Sequence, residues 1–141
     1  MQRGRRLAFD FGDVRIGVAV CDPDGILASP LITLKTSDRN LLHSLQSLLS
    51  EYEPIAIYIG KPSNMDGSAG SAVDKAEGFR HLMATITDAP ISFIDERMST
   101  VSATRSMRES GVSAKDAKSR IDQAAAVAIL EFALAIEKNQ R

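Results

Sequence analysis

Several features are scarce in this sequence of 141 residues, and each scarcity excludes a class of protein. The single cysteine, Cys21, excludes an internal disulfide. No run of about 18 apolar residues occurs, so we expect no transmembrane helix. The basic N-terminus is followed by only three apolar residues before Asp10, which interrupts any signal-peptide core. These features together predict a cytoplasmic protein that is not associated with a membrane.

The chain also lacks a large excess of either charge. Its formal net charge is -1 and its pI is about 6.1, whereas proteins that coat nucleic acid without specificity are usually strongly basic. The distribution is uneven, because residues 97–120 contain six positive and two negative side chains, a net charge of +4. This segment is either a solvated helical face or a surface that contacts phosphates.

What is present is typical of a globular protein. Hydrophobic residues make up 44% of the chain and charged residues 25%. The length suits one domain, and no internal repeat, linker or low-complexity tract interrupts it. We therefore expect a single domain that spans residues 1–141.

The first third of the chain has the pattern of three strands. Residues 7–11 and 15–21 are apolar and β-branched segments separated by a short turn, and residues 26–34 follow a second turn. Pro30 interrupts the last of these segments, so that strand is expected at a sheet edge or at a bulge. Short links between the three segments predict an antiparallel meander.

The remaining chain alternates between helical and strand patterns. Apolar residues at helical spacing predict a helix from Leu41 to Tyr52, with Ser37 or Asp38 as its N-cap. Further segments indicate strands at 55–59 and 91–95 and helices at 73–86, from Ser99 or Thr100 to Gly111, and from Ser113 to about Lys138. This order predicts an α/β fold in which a mixed five-stranded sheet, a three-strand antiparallel meander plus two parallel strands, is flanked by helices.

Three acidic positions stand out against this pattern. Asp10 ends the first strand and the pair Asp95-Glu96 ends the fifth, so parallel strands would bring them to one edge of the sheet, where open α/β sheets place ligands. Asp122 lies on the apolar face of the last helix, where a buried carboxylate is costly unless a partner neutralises it. Each acid also has an ordinary explanation: a strand-end turn, a helix cap, or a favourable interaction with the helix dipole.

If the three acids meet, their chemistry is that of a metal site. Carboxylate oxygens without nearby Cys or His suit Mg²⁺ or Mn²⁺ better than zinc. Two such ions can activate a water and stabilise the leaving oxygen in phosphodiester hydrolysis.

Four motifs follow one another along the chain. They are residues 10–20 (DFGDVRIGVAV), 60–68 (GKPSNMDGS), 95–100 (DERMST) and 121–125 (IDQAA) with Ile129 and Leu130. In this order they resemble the YqgF/RuvX family of pre-16S rRNA nucleases and Holliday-junction resolvase-like proteins. The resemblance spans nearly the whole chain and implies a ribonuclease H-like fold. It also implies that Asp10, Glu96 and Asp122 are the catalytic, metal-binding acids of a hydrolase.

Four other motif residues are candidates for substrate binding. Arg15 could hold a phosphate or pair with a nearby acid. Lys61 and Asn64 could contact phosphate or sugar, although their segment could equally be a connecting loop. Arg97 could orient Glu96 or meet substrate. Cys21 and Lys61 depart from the family's commonest residues. Lys61 could alter contacts with the substrate, so it affects the prediction of the substrate more than the prediction of activity.

The resemblance implies a metal-dependent nuclease that processes the 5′ end of precursor 16S rRNA, acting as a monomer or a homodimer. The alternatives are a resolvase of branched DNA and a non-catalytic nucleic-acid-binding module. An ATPase of the actin or sugar-kinase type also places Asp-x-Gly on a first strand, but it needs two lobes. The sequence leaves open RNA or DNA as substrate, internal or terminal cleavage, and Mg²⁺ or Mn²⁺ as the metal.

Overall fold

The computed structural model describes residues 1–61, 70–96 and 115–140, and within them the side chains of all but residues 70–72 and 115–119. The described elements begin with three strands and then alternate. They are β1 (Arg6–Phe11), β2 (Arg15–Cys21), β3 (Ala28–Lys35), α1 (Leu41–Tyr52), β4 (Ala56–Lys61), α2 (Gly70–Ala84), β5 (Ile91–Asp95) and α3 (Lys115–Asn139). The helix predicted between Ser99 and Gly111 lies outside the described residues.

The five strands form one mixed sheet in the order β3-β2-β1-β4-β5. Strand β2 is antiparallel to both β1 and β3, whereas β1, β4 and β5 are parallel to one another. The predicted meander and the two parallel strands are therefore confirmed. Pro30 satisfies both expectations for a strand proline, because β3 is an edge strand and its pairing with β2 shifts register between Val18 and Ala19, opposite Pro30.

The two faces of the sheet carry separate cores. Side chains alternate along β1, so Leu7 and Phe9 pack on the side of α1 and α2, while Ala8 packs on the side of α3. The α3 side is lined by small residues, among them Ala125 and Ala126 of the helix itself. Small side chains let a helix lie close to the sheet. This close approach limits the size of the side chains that fit between α3 and the sheet.

Helix α1 begins differently from the prediction. Its N-cap position is Asn40 rather than Ser37 or Asp38, and Asn40 makes no side-chain capping bond among the described residues. The Asp38 carboxylate instead accepts a hydrogen bond of 2.9 Å from the backbone N–H of Asn40. Asp38 thus stabilises the turn that precedes the helix, as aspartate often does.

A buried polar network anchors the C-terminal end of α3. Arg6 is fully buried and donates to Glu137 Oε1 at 2.8 Å, and the Tyr58 hydroxyl donates to the other oxygen of Glu137. The Arg6 guanidinium also donates to the backbone oxygens of Gln2 and Gly4, each at 2.6 Å. Burial and the Glu137 carboxylate raise the pKa of Tyr58 well above its ordinary value. The helix is therefore tied to the start of β1 and to β4 at the end of the sheet away from Asp10.

No helix in the described ranges has both the length and the apolar character that crossing a bilayer requires.

Candidate active site

Asp10 stands at the end of β1 on the face covered by α3. It shares that face with Ala8, two residues earlier, and it is paired across the sheet with Gly17 of β2. Only 2% of Asp10 is exposed. A strand-end turn residue would be solvated, so the burial favours the interpretation of Asp10 as a site residue.

Glu96 directly follows β5 and lies on the same face. Two residues earlier, Ile94 packs in the α3-side core, and Glu96 itself is 6% exposed. A Cβ placed on Gly60 would lie 3.8 Å from Glu96 Oε1. Gly60 follows Ile59, the partner of Phe9, so it occupies the position in β4 beside Asp10. The Glu96 carboxylate therefore lies over the position in β4 that neighbours Asp10 of β1.

Asp122 reaches the same place from the helix. Its backbone oxygen would lie 2.0 Å from a Cβ on Gly17, the residue paired with Asp10. The absence of a side chain at position 17 is therefore what lets α3 cross the sheet at this point, a close backbone approach of the kind glycine permits. Asp122 is 1% exposed. The topology thus brings all three predicted acids to one end of the α3 face.

Arg15 is the fourth member of this group. Its Nε donates to Asp122 Oδ2 at 2.6 Å, and this pair joins the start of β2 to α3. Of the two roles expected for Arg15, the structure has the one in which it pairs with an acid. The charge-assisted bond stabilises a carboxylate whose side chain is only 2% exposed.

Two polar residues that were not among the predicted site residues hold the surrounding backbone. Thr36 donates through its hydroxyl to Gly12 O at 2.7 Å and through its N–H to Val14 O at 3.0 Å, so it fixes the turn between Asp10 and Arg15. Gln123 donates to the Thr33 hydroxyl at 3.0 Å, which ties the residue after Asp122 to β3. Both residues make hydrogen bonds that depend on tertiary contacts, and local spacing does not reveal such bonds.

The donor set suits a hard divalent cation, because it consists of carboxylates held on one face. In the conformation described here, however, no three His, Cys, Asp or Glu side chains within residues 1–61, 70–96 and 115–140 are grouped so that they could hold a metal ion. Asp122 is turned to Arg15 in this conformation. The three acids fit such an ion by their chemistry, and in this conformation Arg15 is bound to one of them.

Of the other predicted substrate-binding residues, the one that the structure describes, Lys61, is not part of this group. Lys61 ends β4 on the opposite face, where its Nζ lies 3.7 Å from Glu77 Oε1 and 5.0 Å from the centre of the Phe93 ring. Strand alternation explains this position, since Ile57 and Ile59 point to the same side. Asn64 and Arg97 lie outside the described residues, as does most of the basic segment 97–120.

Three other proteins place this site in context. A Streptomyces coelicolor protein named "Putative pre-16S rRNA nuclease" is 49% identical over 140 residues, which cover 98% of this chain and 84% of that protein. A Mycobacterium ulcerans protein of the same name is 47% identical over 131 residues, covering 92% and 77% of the two chains. The solved structure of Thermus thermophilus RuvC in complex with a Holliday junction substrate superposes with a TM-score of 0.63 at 14% identity and covers 96% of each chain.

The RuvC likeness confirms the ribonuclease H-like fold that the motifs implied. At family level, residues 4–136 match the RuvX family, described as Holliday junction resolvase. With that match over most of its length and relatives at nearly half identity, the chain belongs to the RuvX family of nucleases and resolvase-like proteins.

Proposed function

We propose that this protein is a metal-dependent nuclease that hydrolyses phosphodiester bonds in structured RNA, with the 5′ end of precursor 16S rRNA as its substrate. The observation that carries the proposal is the placement of Asp10, Glu96 and Asp122, all nearly buried, at one end of the α3 face. Relatives at 49% and 47% identity that are named for pre-16S rRNA support the choice of substrate. A role in ribosome biogenesis implies that this single-domain protein works in the cytoplasm.

Asp10, Glu96 and Asp122 would hold Mg²⁺ or Mn²⁺. When bound, such ions make a water nucleophilic near neutral pH and neutralise charge on the leaving oxygen. The chain's part is to keep the three carboxylates fixed: β1 and β5 carry two of them, and Gly17 lets α3 bring the third. Each of the three acids is at most 6% exposed, which limits the access of bulk water to the carboxylates.

The cationic side chains near the acids are suited to the phosphate backbone. Lys35 of β3 lies directly opposite Arg15 of β2 in the sheet register, so the two side chains share the α3 face. Lys35 is exposed. Arg120 is also exposed and precedes Asp122 by two residues on α3. Phosphate contacts of this type position a nucleic acid without reading its sequence, as a nuclease needs.

The test is cleavage of end-labelled precursor 16S rRNA by the wild type and by Asp10→Asn, in Mg²⁺, in Mn²⁺ and in EDTA. We expect metal-dependent cutting that the substitution abolishes. RNA binding without cleavage by the wild type would contradict the proposal and favour a binding module. Equal cutting by both proteins would place the activity elsewhere.

A second substrate is favoured by the family description, which is that of a Holliday junction resolvase. The same carboxylates would then cut two strands of a four-way DNA junction symmetrically, and that reaction needs a homodimer with paired sites. Cleavage of a labelled four-way junction beside the precursor RNA, with the molecular mass in solution measured on the same sample, separates the two substrates.

A further inference from the structure

The ion pair between Arg15 and Asp122 joins two side chains that differ in their exposure to solvent. Asp122 is nearly inaccessible, with 2% of its side chain exposed, while 26% of the Arg15 side chain is exposed. A carboxylate at that depth is costly to bury unless charged or hydrogen-bonding groups compensate it. In the described conformation the Arg15 guanidinium is one such group, with Nε 2.6 Å from Oδ2.

We propose that Arg15 is a positioning residue whose guanidinium binds the Asp122 carboxylate when no metal is present. The guanidinium and a divalent cation then compete for that carboxylate. On this proposal, the guanidinium neutralises Asp122 in the metal-free protein and leaves the carboxylate when a divalent cation binds. The inference rests on the proposed function, since it takes Asp122 to be a metal-binding acid. It adds that this chain carries its own competitor for that acid.

The surroundings let the arginine move while the aspartate stays. The backbone of Asp122 lies against Gly17, and the next residue, Gln123, is bonded to Thr33 of β3. Arg15, in contrast, is the first residue of β2, beside a turn, and its side chain reaches solvent. The carboxylate is therefore fixed, and the guanidinium can rotate away.

Arg6 shows what an arginine without this freedom looks like in the same chain. It is fully buried, and its guanidinium donates to Glu137 and to the backbone oxygens of Gln2 and Gly4. Releasing Arg6 would break several bonds in a site closed to water. The Arg15 side chain donates to Asp122. Because this side chain is partly exposed, water can replace that hydrogen bond when it is lost.

The competition predicts that removing the arginine strengthens metal binding. The hydrogen bond between the two charged groups is strong because Asp122 is shielded, and it is weakened because Arg15 is partly exposed. We therefore expect Arg15→Gln to bind Mn²⁺ about tenfold more tightly than the wild type. Arg15→Lys keeps a cation but loses the planar geometry, so its affinity should fall between the two.

The experiment is calorimetric titration of Mn²⁺ into the full-length protein without nucleic acid, so that catalysis is not the readout. Wild type, Arg15→Gln and Arg15→Lys are compared with Lys75→Gln as a matched control. Lys75 pairs with Asp13 in the neighbouring turn at 3.1 Å, and both of those side chains are exposed. Lys75→Gln therefore removes one positive charge nearby without touching Asp122, and its Mn²⁺ affinity should equal that of the wild type.

Thermal unfolding gives a second, independent readout. In EDTA, Arg15→Gln should melt below the wild type, because the ion pair between Arg15 and Asp122 is lost. Saturating Mn²⁺ should recover that loss in Arg15→Gln, since the metal then supplies the charge. A purely structural arginine would lower the melting temperature equally with and without metal.

The outcomes separate this inference from the proposed function. A folded Arg15→Gln protein with unchanged or weaker Mn²⁺ affinity overturns the competition, and the proposed function stands if the wild type still binds Mn²⁺ and cleaves RNA. Failure of every variant to bind Mn²⁺ overturns both. Tighter binding in Arg15→Gln, with Lys75→Gln like the wild type, supports the competition.

Discussion

Replacing Gly17 by alanine tests whether contact between α3 and the sheet holds Asp122 in place. A Cβ at this position would lie 2.0 Å from Asp122 O, 2.4 Å from Asp122 C and 3.0 Å from Gln123 N, all of them backbone atoms. Backbone cannot rotate away as a side chain can. The helix itself must therefore retreat or tilt.

The size of the effect follows from these distances. Carbon and oxygen atoms in ordinary contact are separated by about 3.5 Å, so α3 must withdraw by more than about 1 Å at Asp122. Overpacking of this kind costs about 1–3 kcal/mol, and we expect the upper part of that range because the helix packs in the core over a long stretch, from Ala125 to Leu134. A displacement of about 1 Å at a catalytic group can lower the rate about 100-fold.

Two other glycines provide matched controls. Gly60→Ala meets first the Cδ1 of Ile129 at 2.5 Å, the flexible end of a side chain, so its cost in stability should be smaller. Gly78→Ala, in the middle of α2, meets no described atom within 4 Å and should raise stability by about 0.5–1 kcal/mol, since alanine favours a helix over glycine.

The assay is chemical unfolding of the three variants, followed by RNA cleavage under conditions where each is folded. We expect the free energy of unfolding to rank Gly78→Ala above the wild type, then Gly60→Ala, then Gly17→Ala. Activity should fall furthest in Gly17→Ala. If Gly17→Ala matched Gly78→Ala in stability and in rate, α3 would not cross the sheet at Gly17, and the placement of Asp122 beside Asp10 would be wrong.

Three further predictions concern charge. Asp10→Asn should lower the cleavage rate by several powers of ten and leave the unfolding midpoint in EDTA nearly unchanged, as the amide keeps the shape of the carboxylate. Lys35→Gln should weaken RNA binding in an anisotropy titration and reduce the slope of log affinity against log salt by about 0.7–0.9, whereas Lys138→Gln, at the far end of α3, should change neither. Because the pKa of Tyr58 is raised on folding, the unfolded chain loses that proton first, so stability should fall as the pH rises above the ordinary tyrosine value of 10.0. Tyr58→Phe should remove that part of the decline in a pH series of unfolding curves, and an unchanged slope would contradict the role given to Glu137.

The fold could be predicted because each element has a local signature. The period of the apolar residues separates strands from helices, and Pro30 alone indicates an edge or a bulge, both of which the structure has. Asp10 was recognisable because a charge at the end of a buried strand is unusual. Asp122 was recognisable for the same reason on a helix.

Other features depend on contacts between distant residues, which a pattern along the chain does not contain. Arg15 had two physically reasonable partners, and only the approach of α3 favours Asp122. The sequence does not predict on which face of the sheet Lys61 lies. Residues 55–59 are apolar throughout because both faces of this strand are covered, so no alternation of polar and apolar residues assigns a face. Asp38 has the right side chain for a helix cap, but the turn before α1 uses it instead.

The irregular pairing of β3 has a consequence for how copies of this protein meet. An outer strand ordinarily offers a row of backbone N–H and C=O groups on which a second sheet can grow. Pro30 contributes no N–H to that row, and the register shift opposite it changes the local twist. Growth of the sheet past β3 into a second molecule is thereby disfavoured, which protects the chain from aggregation along this border. A pair of these molecules is therefore expected to form through a surface other than sheet extension at β3.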